Sequence, residues 1–452
     1  MILGFYLGPL HLNNFMYKYL FFIFLSFTKI DCFSQAVLPL KDRVRAIEEI
    51  QKDRLENLLP QLMVREKIDC WVIITREYNE DPIIKSLLPP TWLNARRRTI
   101  LVFTHDKSSN KVDMAAITRY SFGSLIKSVW DKEKEPDQMK ALVDYLKLKN
   151  PKKIGINISD TYGIADGLSV TDHKLLMNYL PIPLKTRVVS SEPLAVSWVE
   201  TRTEKEMTLF SHLTEITHNI IKEAFSTGVI TPGVTTTDDV VWWMREKVSS
   251  MGLKTWFHPT IDVQRADNSD LYAFDGKQKF DIIKPGDLVH CDFGITYLNL
   301  NTDCQQLAYV LKPNEVDAPK YLKDGLKAGN MLEDILTSNF KEGITGNEIL
   351  KISRKEAIEK GLRPQIYTHP LGLFGHSAGT IFGMWDNQGF VQGTGEWNLN
   401  ANTAYAIELN TKVYIKEWGK DVRIMLEEPG FFSKDGFRYI NKRQEKFHLI
   451  GE

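Results

Sequence analysis

The sequence lacks an excess of charge of either sign. Lysine plus arginine and aspartate plus glutamate each number 57 among 452 residues, so the formal net charge is zero. Binding to a phosphate backbone needs a basic excess or a basic stripe, so nucleic acid is not expected as the main partner. Residues 96–98 form the densest basic run, and we interpret them as a solvated or salt-bridged strand start rather than a binding patch.

Cysteines, repeats and phosphate-binding loops are also few or missing. Four cysteines cannot provide a disulfide framework for a chain of this length. We find no repeat, no low-complexity linker and, in the first half, no glycine-rich phosphate loop, so a nucleotide-binding function has no support. The sequence does have 43% hydrophobic and 25% charged residues, which is typical of a globular protein, and a length that favours two domains.

Residues 1–35 have the order of a secretory signal peptide. Lys18 precedes an apolar run over 20–27, and small residues follow at Cys32 and Ser34. The run is too short for a stable membrane span, so we expect cleavage and export to the periplasm or the medium. A lipid anchor on Cys32 is less favoured, because Asp31 before it is not the small residue that such a site prefers.

The remaining chain divides by its pattern into two predicted domains, 36–198 and 199–452. The first alternates strand-like and helix-like segments, which predicts an α/β domain. The second opens with a long amphipathic helix and a second helix and continues into strand-like segments. The predicted helices are 40–66, 137–147, 172–179, 203–225 and 240–251, and the predicted strands of the first domain are 70–75, 99–103, 112–117 and 153–158.

Residues 284–304 predict a β-hairpin that carries two aspartates. A Pro-Gly-Asp turn precedes alternating residues that place Asp292 on the polar face. If the chain reverses near Leu298-Asn299, a register that pairs Asp292 with Asp303 puts both carboxylates on one face, about 5 Å apart at Cβ. Facing carboxylates repel unless a cation or a shared proton lies between them. The hairpin is therefore part of a metal site or an ordinary turn with a solvated edge strand.

The same register pairs Cys291 with Cys304 on the opposite face of the hairpin. We expect buried free thiols there, with a cross-strand disulfide as the alternative in an oxidising compartment. A count of free thiols in the unfolded, unreduced protein separates the two.

Three further side chains extend the possible set of metal donors. All three stand in strand-like contexts: His376 lies between glycines, and Glu408 and Glu427 lie within or at the end of apolar runs. A lone buried glutamate is costly, but four carboxylates nearly balance two divalent ions. Carboxylates and one imidazole suit manganese, cobalt or zinc. We therefore predict two divalent metal ions, with manganese preferred.

The order of these residues resembles the metal-binding set of the pita-bread metallopeptidases, which include methionine aminopeptidase, prolidase and Xaa-Pro aminopeptidase. Asp292 and Asp303 stand 11 positions apart, and Gly-His at 376, Ile-Glu at 408 and a late glutamate at 427 follow. The resemblance covers about residues 200–440, and the preceding domain looks like the creatinase/prolidase N-terminal domain. It implies an α/β N-terminal domain, an α+β pita-bread domain, a peptide substrate and a homodimer.

Carried over to this chain, the resemblance implies a role for each donor. Asp292 would bind one metal, His376 and Glu408 would bind the other, and Asp303 and Glu427 would bridge the two. A hydroxide held between the ions would attack the scissile carbonyl, with Glu408 as the proton shuttle. Glu427 is preferred to Glu428 because its strand matches the family's final strand.

Residues around this set depart from the family's pattern. Relatives place a histidine upstream of the first aspartate, but the stretch 269–275 contains none. His258 is the upstream substitute, with ordinary packing or capping as its alternative. His369 is either a replacement substrate or acid/base histidine or a loop residue bonded to backbone. Many relatives have another histidine after the metal-binding one, where this chain has Met384-Trp385-Asp386, and Met425 stands where relatives have an arginine.

The predicted function is hydrolysis of the bond before proline, either at the N-terminus of a peptide or in an Xaa-Pro dipeptide. One alternative is a creatinase-like hydrolase of another C–N bond that works without metal. Another is a binding protein that keeps the fold and has lost turnover, which the altered surroundings of the metal set would permit.

Overall fold

The structure is a computed structural model that describes residues 37–267, 269–270 and 281–451. The predicted signal peptide, residues 1–35, lies outside these ranges. Among the helices of the described ranges, none has the length and apolar character needed to cross a membrane.

A sheet of six strands forms the N-terminal part of the fold. The strands are β1 Cys70–Arg76, β2 Arg98–Asp106, β3 Lys111–Ala116, β4 Lys127–Ser128, β5 Ile154–Ile156 and β6 Val188–Ser190. Their order is β4-β3-β2-β1-β5-β6, with β1 antiparallel to β2 and parallel to β5. Central strand β1 is buried on both faces, because Trp71 and Ile73 enter one apolar cluster while Val72 and Ile74 enter another. The four predicted strands are therefore confirmed.

Helices cover both faces of this sheet. They are α1 Leu40–Asp53, α2 Leu59–Arg65, α3 Gln138–Lys149, α4 Val170–Tyr179, α5 Ile182–Lys185 and α6 Glu192–Glu200, with short 3₁₀ turns at Pro82–Ser86 and Gly163–Ala165. The predicted helix 40–66 is confirmed, but a π-helical turn at Arg54–Leu58 interrupts it. Pro60 follows this turn and lacks the amide hydrogen that a regular helix would use there. The predicted domain boundary at 198/199 falls within α6 and stays a prediction.

A second, larger sheet of nine strands forms the C-terminal part. Its strands are β8 Thr260–Gln264, β9 Leu288–Phe293, β12 Cys304–Val310, β13 Pro364–Ile366, β14 His369–Leu371, β15 Thr403–Ile415, β16 Lys420–Ser433, β17 Gly436–Tyr439 and β18 His448–Ile450. The main order is β13-β15-β16-β12-β9-β8, and β14, β17 and β18 pair with β15, β16 and β12. A small sheet contains β7 Lys254–Thr255, β10 Ile295–Tyr297 and β11 Leu300–Asn301.

Four helices accompany the larger sheet. They are α7 Glu204–Ala224, α8 Thr237–Ser250, α9 Lys320–Ser338 and α10 Gly346–Glu359, with a 3₁₀ turn at Thr394–Glu396. The predicted helices 203–225 and 240–251 are confirmed as α7 and α8, and each begins with a reciprocal side-chain cap. Helices α5, α6, α9 and α10 were not predicted.

The predicted hairpin forms, but its register differs from the predicted one by two residues. The reversal lies at Leu298-Asn299 as expected, and both residues have positive φ, 53° and 63°. This two-residue turn fixes a register in which Asp292 pairs with Gln305 rather than with Asp303. Because side chains alternate with a period of two, the shift leaves both aspartates on the same face of the sheet.

The corrected register also separates the two cysteines. Cys291 pairs with Gln306, and Cys304 pairs with Phe293, so the predicted direct pairing of the thiols is wrong. Both are buried free thiols, as is Cys70. Burial raises the pKa of Cys291 and of Cys304, which keeps both thiols protonated and unreactive.

Candidate metal centre

Three of the predicted metal ligands lie in one row that crosses four strands of the larger sheet. Asp292 on β9 pairs with Gln305 on β12. Gln305 pairs in turn with Glu427 on β16, and Glu427 pairs with Glu408 on β15. Directly paired residues of antiparallel strands project from the same face, so this register gathers the three carboxylates.

The other predicted ligands approach this row from its edges. Asp303 directly precedes β12 and is 3% exposed. Each of three overlapping groups has donor atoms within 4.8 Å of one another: Asp292, Asp303 and Glu427; Asp303, His369 and His376; and His369, Glu408 and Glu427. The structure therefore brings together all five predicted metal ligands and adds His369.

Several donor atoms of this centre have no hydrogen-bond partner among the described residues. They are Oδ1 of Asp292, Oδ1 of Asp303, Oε1 of Glu427 and Nε2 of His369, and all four are buried. A buried polar atom without a partner is costly, and such atoms are rarely found together by accident. Four of them, all of types that bind divalent cations, fit a metal site.

Burial raises the pKa of each acid in the centre, and the charge of neighbouring carboxylates raises the pKa of three of them further. Burial raises the pKa of Asp292 to about 7, and burial together with the charge of Asp292 raises that of Glu408 to about 8. The pKa values of Asp303 and Glu427 lie well above the usual range, because of burial and then of the neighbouring carboxylates. The four acids cannot all ionise at neutral pH unless cations balance them.

His369 has the chemical state of a metal ligand. It lies on β14 rather than in a loop, and it is 1% exposed. Its Nδ1 lies 3.1 Å from the Pro370 carbonyl oxygen, which only accepts, so Nδ1 carries the proton. Nε2 keeps its lone pair and lies 3.6 Å from Glu427 Oε1 and 3.8 Å from Asp303 Oδ2. Burial and then His376 lower the pKa of His369 to about 3, which keeps the ring neutral.

His376 lies in the loop after β14, not in the strand-like context predicted for it, and its ring is exposed. The ring packs edge-on against Trp256 at a centroid distance of 5.1 Å. Trp256 also lies against Gly375, where an added Cβ would be 2.4 Å from the indole. The indole Nε1 donates to the Thr302 carbonyl oxygen at 2.8 Å. Trp256 therefore ties the His376 loop to the residue before Asp303.

The part of the chain that carries this centre matches a known family. Residues 209–426 match the model of metallopeptidase family M24. This part of the chain is an M24 metallopeptidase domain. Peptidases of the family use divalent metal ions, so the predicted family, enzyme class and need for divalent metal are confirmed. Among curated proteins, none matches the chain.

Solved structures share the fold of the M24 domain and of the part that precedes it. The X-Pro aminopeptidase of Thermotoga maritima MSB8 is 15% identical, with 86% of this chain and 100% of that chain covered and a TM-score of 0.61. The Xaa-Pro dipeptidase of Bacillus anthracis is 15% identical, with 91% of this chain and 100% of that chain covered and a TM-score of 0.53. The prolidase of Pyrococcus horikoshii OT3 is 17% identical, with 89% of this chain and 99% of that chain covered and a TM-score of 0.54. The predicted α/β domain followed by a pita-bread domain is thereby confirmed.

Gln305 of the M24 domain is a site residue that the sequence analysis missed. It sits in the middle of the carboxylate row and donates to Glu408 and to Glu427. A neutral amide is not a metal-ligand signal, so nothing in its side chain pointed to the site. Its position two residues after Asp303 was the available signal, because residues two apart on a strand share a face.

His258 lies outside the groups of close donor atoms found in the described residues. It is exposed, and its ring packs against Trp242 of α8 at a centroid distance of 5.4 Å. Its Nδ1 accepts from Arg245 at 3.0 Å. These contacts are the packing alternative given for this residue, and its catalytic role stays a prediction.

Glu428 points to the opposite face of the larger sheet from Glu427. Its Oε2 lies 2.6 Å from His218 Nε2, and its Oε1 accepts from Gln306 at 2.7 Å. Cys304 completes a second group of close donor atoms with His218 and Glu428. Both oxygens of Glu428 therefore already have protein partners, unlike those of Glu427.

Proposed function

We propose that the chain is a dinuclear metal-dependent aminopeptidase that hydrolyses the bond between an N-terminal residue and proline, in peptides or in Xaa-Pro dipeptides. The observation that supports this most strongly is the set of four unpartnered, buried donor atoms at the meeting point of four carboxylates and His369. Manganese is the preferred metal, because carboxylate oxygens dominate the donor set.

The side chains of the centre divide into holding and proton-moving roles. The carboxylates that would hold the ions are those of Asp292, Asp303, Glu408 and Glu427, with His369 or His376 as the nitrogen donor. Bound divalent ions supply a lowered pKa of water and polarisation of the scissile carbonyl. Glu408 is partly exposed, so substrate can reach it, and its carboxylate would carry a proton to the leaving amine.

Aromatic side chains beside the centre support a preference for proline. Trp256 and Tyr367 flank the His376 ring at centroid distances of 5.1 and 6.2 Å. A pyrrolidine ring is compact and apolar, and aromatic walls favour such groups. The names of the structurally similar aminopeptidase and dipeptidase agree with this choice of substrate.

The proposal includes export after removal of residues 1–35 and assembly as a homodimer. Export rests on the leader-like order of the N-terminus, and the mass of the mature protein recovered from outside the cytoplasm tests it. The dimer rests on the family resemblance, and sedimentation of the mature protein tests it.

Reconstitution of the metal-free protein tests the function. Addition of manganese should restore cleavage of Xaa-Pro peptides but not of matched Xaa-Ala peptides. Glu427→Gln should abolish metal binding and cleavage, whereas Glu428→Gln changes the adjacent residue on the opposite face and should retain both. A metal-loaded protein that cleaves no Xaa-Pro peptide of any length would refute the proposal, and cleavage without metal would support the creatinase-like alternative.

A further inference from the structure

A neutral side chain occupies the middle of the carboxylate row. Gln305 is 4% exposed, and its Nε2 lies 2.8 Å from Glu408 Oε1 and 2.9 Å from Glu427 Oε2. In both contacts the amide nitrogen of Gln305 donates and a glutamate oxygen accepts. One amide group therefore links acids that come from two different strands.

The amide is oriented from behind by a histidine. Gln305 Oε1 lies 2.9 Å from His290 Nε2, and a carbonyl oxygen only accepts, so His290 donates to it. His290 is 1% exposed, and its Nδ1 lies 3.2 Å from Asp262 Oδ2. A flipped amide would place Oε1 against both glutamates and the NH₂ group against the histidine N–H. The orientation of Gln305 is thus fixed at both ends.

This arrangement selects the oxygen atoms that the glutamates present to the centre. Gln305 occupies Oε1 of Glu408 and Oε2 of Glu427. Oε1 of Glu427 is left without a partner, 3.6 Å from His369 Nε2. We propose that Gln305 is the positioning residue of the metal centre, which holds one oxygen of each glutamate and thereby aims the other at the metal. This inference rests on the proposed function for its metal and on the observed contacts for its geometry.

Gln306 provides a matched control on the same strand. It is also 4% exposed, and it contacts a buried glutamate and a histidine on the opposite face of the sheet. Its Nε2 donates to Glu428 Oε1 at 2.7 Å, and its Oε1 lies 2.7 Å from His448 Nε2. Gln305→Met and Gln306→Met each remove an amide that bonds to a buried glutamate and to a histidine. Both substitutions should therefore lower the free energy of unfolding in urea by similar amounts. Only the first should change the metal centre.

The experiment measures manganese affinity by competition with a chelator, followed by kcat and KM on an Xaa-Pro peptide. Gln305→Met should weaken manganese binding about 10- to 100-fold, as is usual for residues that orient metal ligands, and should lower kcat more than it raises KM. Gln306→Met should keep native affinity. Gln305→Glu retains the size of the side chain and the acceptor for His290 but sets a third carboxylate against the two glutamates, so its loss should be larger.

The outcomes separate this inference from the proposed function. Native manganese affinity in a folded Gln305→Met, or equal losses in the two methionine variants, would overturn it. If Gln305→Met does not fold, the manganese affinities of Gln305→Glu and Gln306→Glu are compared in its place, and only the first should be weakened. A wild-type protein that binds manganese but cleaves no peptide refutes the proposed function alone, because the affinity ratio is measured without peptide.

Discussion

Replacement of Glu408 by glutamine should stabilise the metal-free protein at alkaline pH, although it damages the metal centre. Burial, followed by the charge of Asp292, raises the pKa of Glu408 from 4.5 to about 8. The folded state therefore holds this proton more tightly than the unfolded chain does. The stability that this contributes is complete below pH 4.5 and is lost as the pH rises through about 8. Glutamine cannot ionise, and its carbonyl still accepts from Gln305, so the variant avoids this loss.

The interval between the two pKa values sets the size of the effect. It corresponds to an upper bound of roughly 5 kcal/mol at pH 8, since each pKa unit is worth about 1.4 kcal/mol. The four acids of the centre titrate together, so Glu408 alone accounts for only part of this free energy. We expect a gain on the order of 2–4 kcal/mol for Glu408→Gln at pH 8 and less than about 1 kcal/mol at pH 5.

Urea unfolding of chelator-treated protein at the two pH values measures this gain. Saturating manganese should reverse the order at pH 8, because a ligand that binds the folded state stabilises wild type more than a variant that binds it weakly. A metal-free Glu408→Gln that is less stable than wild type at pH 8 would refute the reasoning. A difference that is equal at both pH values would refute it as well.

Two further substitutions test the contact between Gly375 and Trp256 beside the centre and the assignment of His369 as a nitrogen donor. Gly375→Ala would set a methyl group 2.4 Å from Trp256, so it should cost about 1–3 kcal/mol in urea unfolding and lower peptide cleavage. Gly163→Ala, which meets no atom within 4 Å, should do neither, and equal effects would contradict the assigned contact. His369→Asn should lower the manganese content of the purified protein, whereas His258→Asn should leave it native. Native content in both would show that His369 is not a ligand.

The elements that the sequence predicted well have an uninterrupted pattern of apolar residues. The missed helix α9 shows why the others were harder. It contains Gly325 and Gly329, which weaken a helical pattern. An added Cβ at Gly329 would lie 2.8 Å from Ile424 and from Leu426 of β16, so the sheet requires a small residue there. These glycines are required by packing against a distant part of the chain, and a local sequence pattern does not show such packing.

The candidate site was predictable in its carboxylates and less so in its histidines. The aspartates and glutamates lie on long strands or next to them, where alternation defines a face. His369 lies on a strand of three residues, which is too short for any periodicity, and a glycine-flanked loop carries His376. The predicted context of His376 is strand-like and one alternative for His369 is a loop, whereas in the structure His369 lies on a strand and His376 in a loop. Only pairing with β15, which no local pattern shows, places His369 among the acids.

The adjacent pairs Gln305-Gln306 and Glu427-Glu428 show how the structure separates a ligand from a structural acid. The members of each pair are adjacent residues of one type, so side-chain chemistry alone does not separate them. Alternation along β12 and β16 places one member of each pair on each face of the sheet. On the second face, Gln306 and His218 occupy both oxygens of Glu428, so that carboxylate needs no cation. On the first face, Gln305 occupies one oxygen of Glu427, and the other is buried without a partner among the described residues. This unpaired oxygen lies beside the other donor atoms of the centre, and the difference favours Glu427 over Glu428 as the ligand.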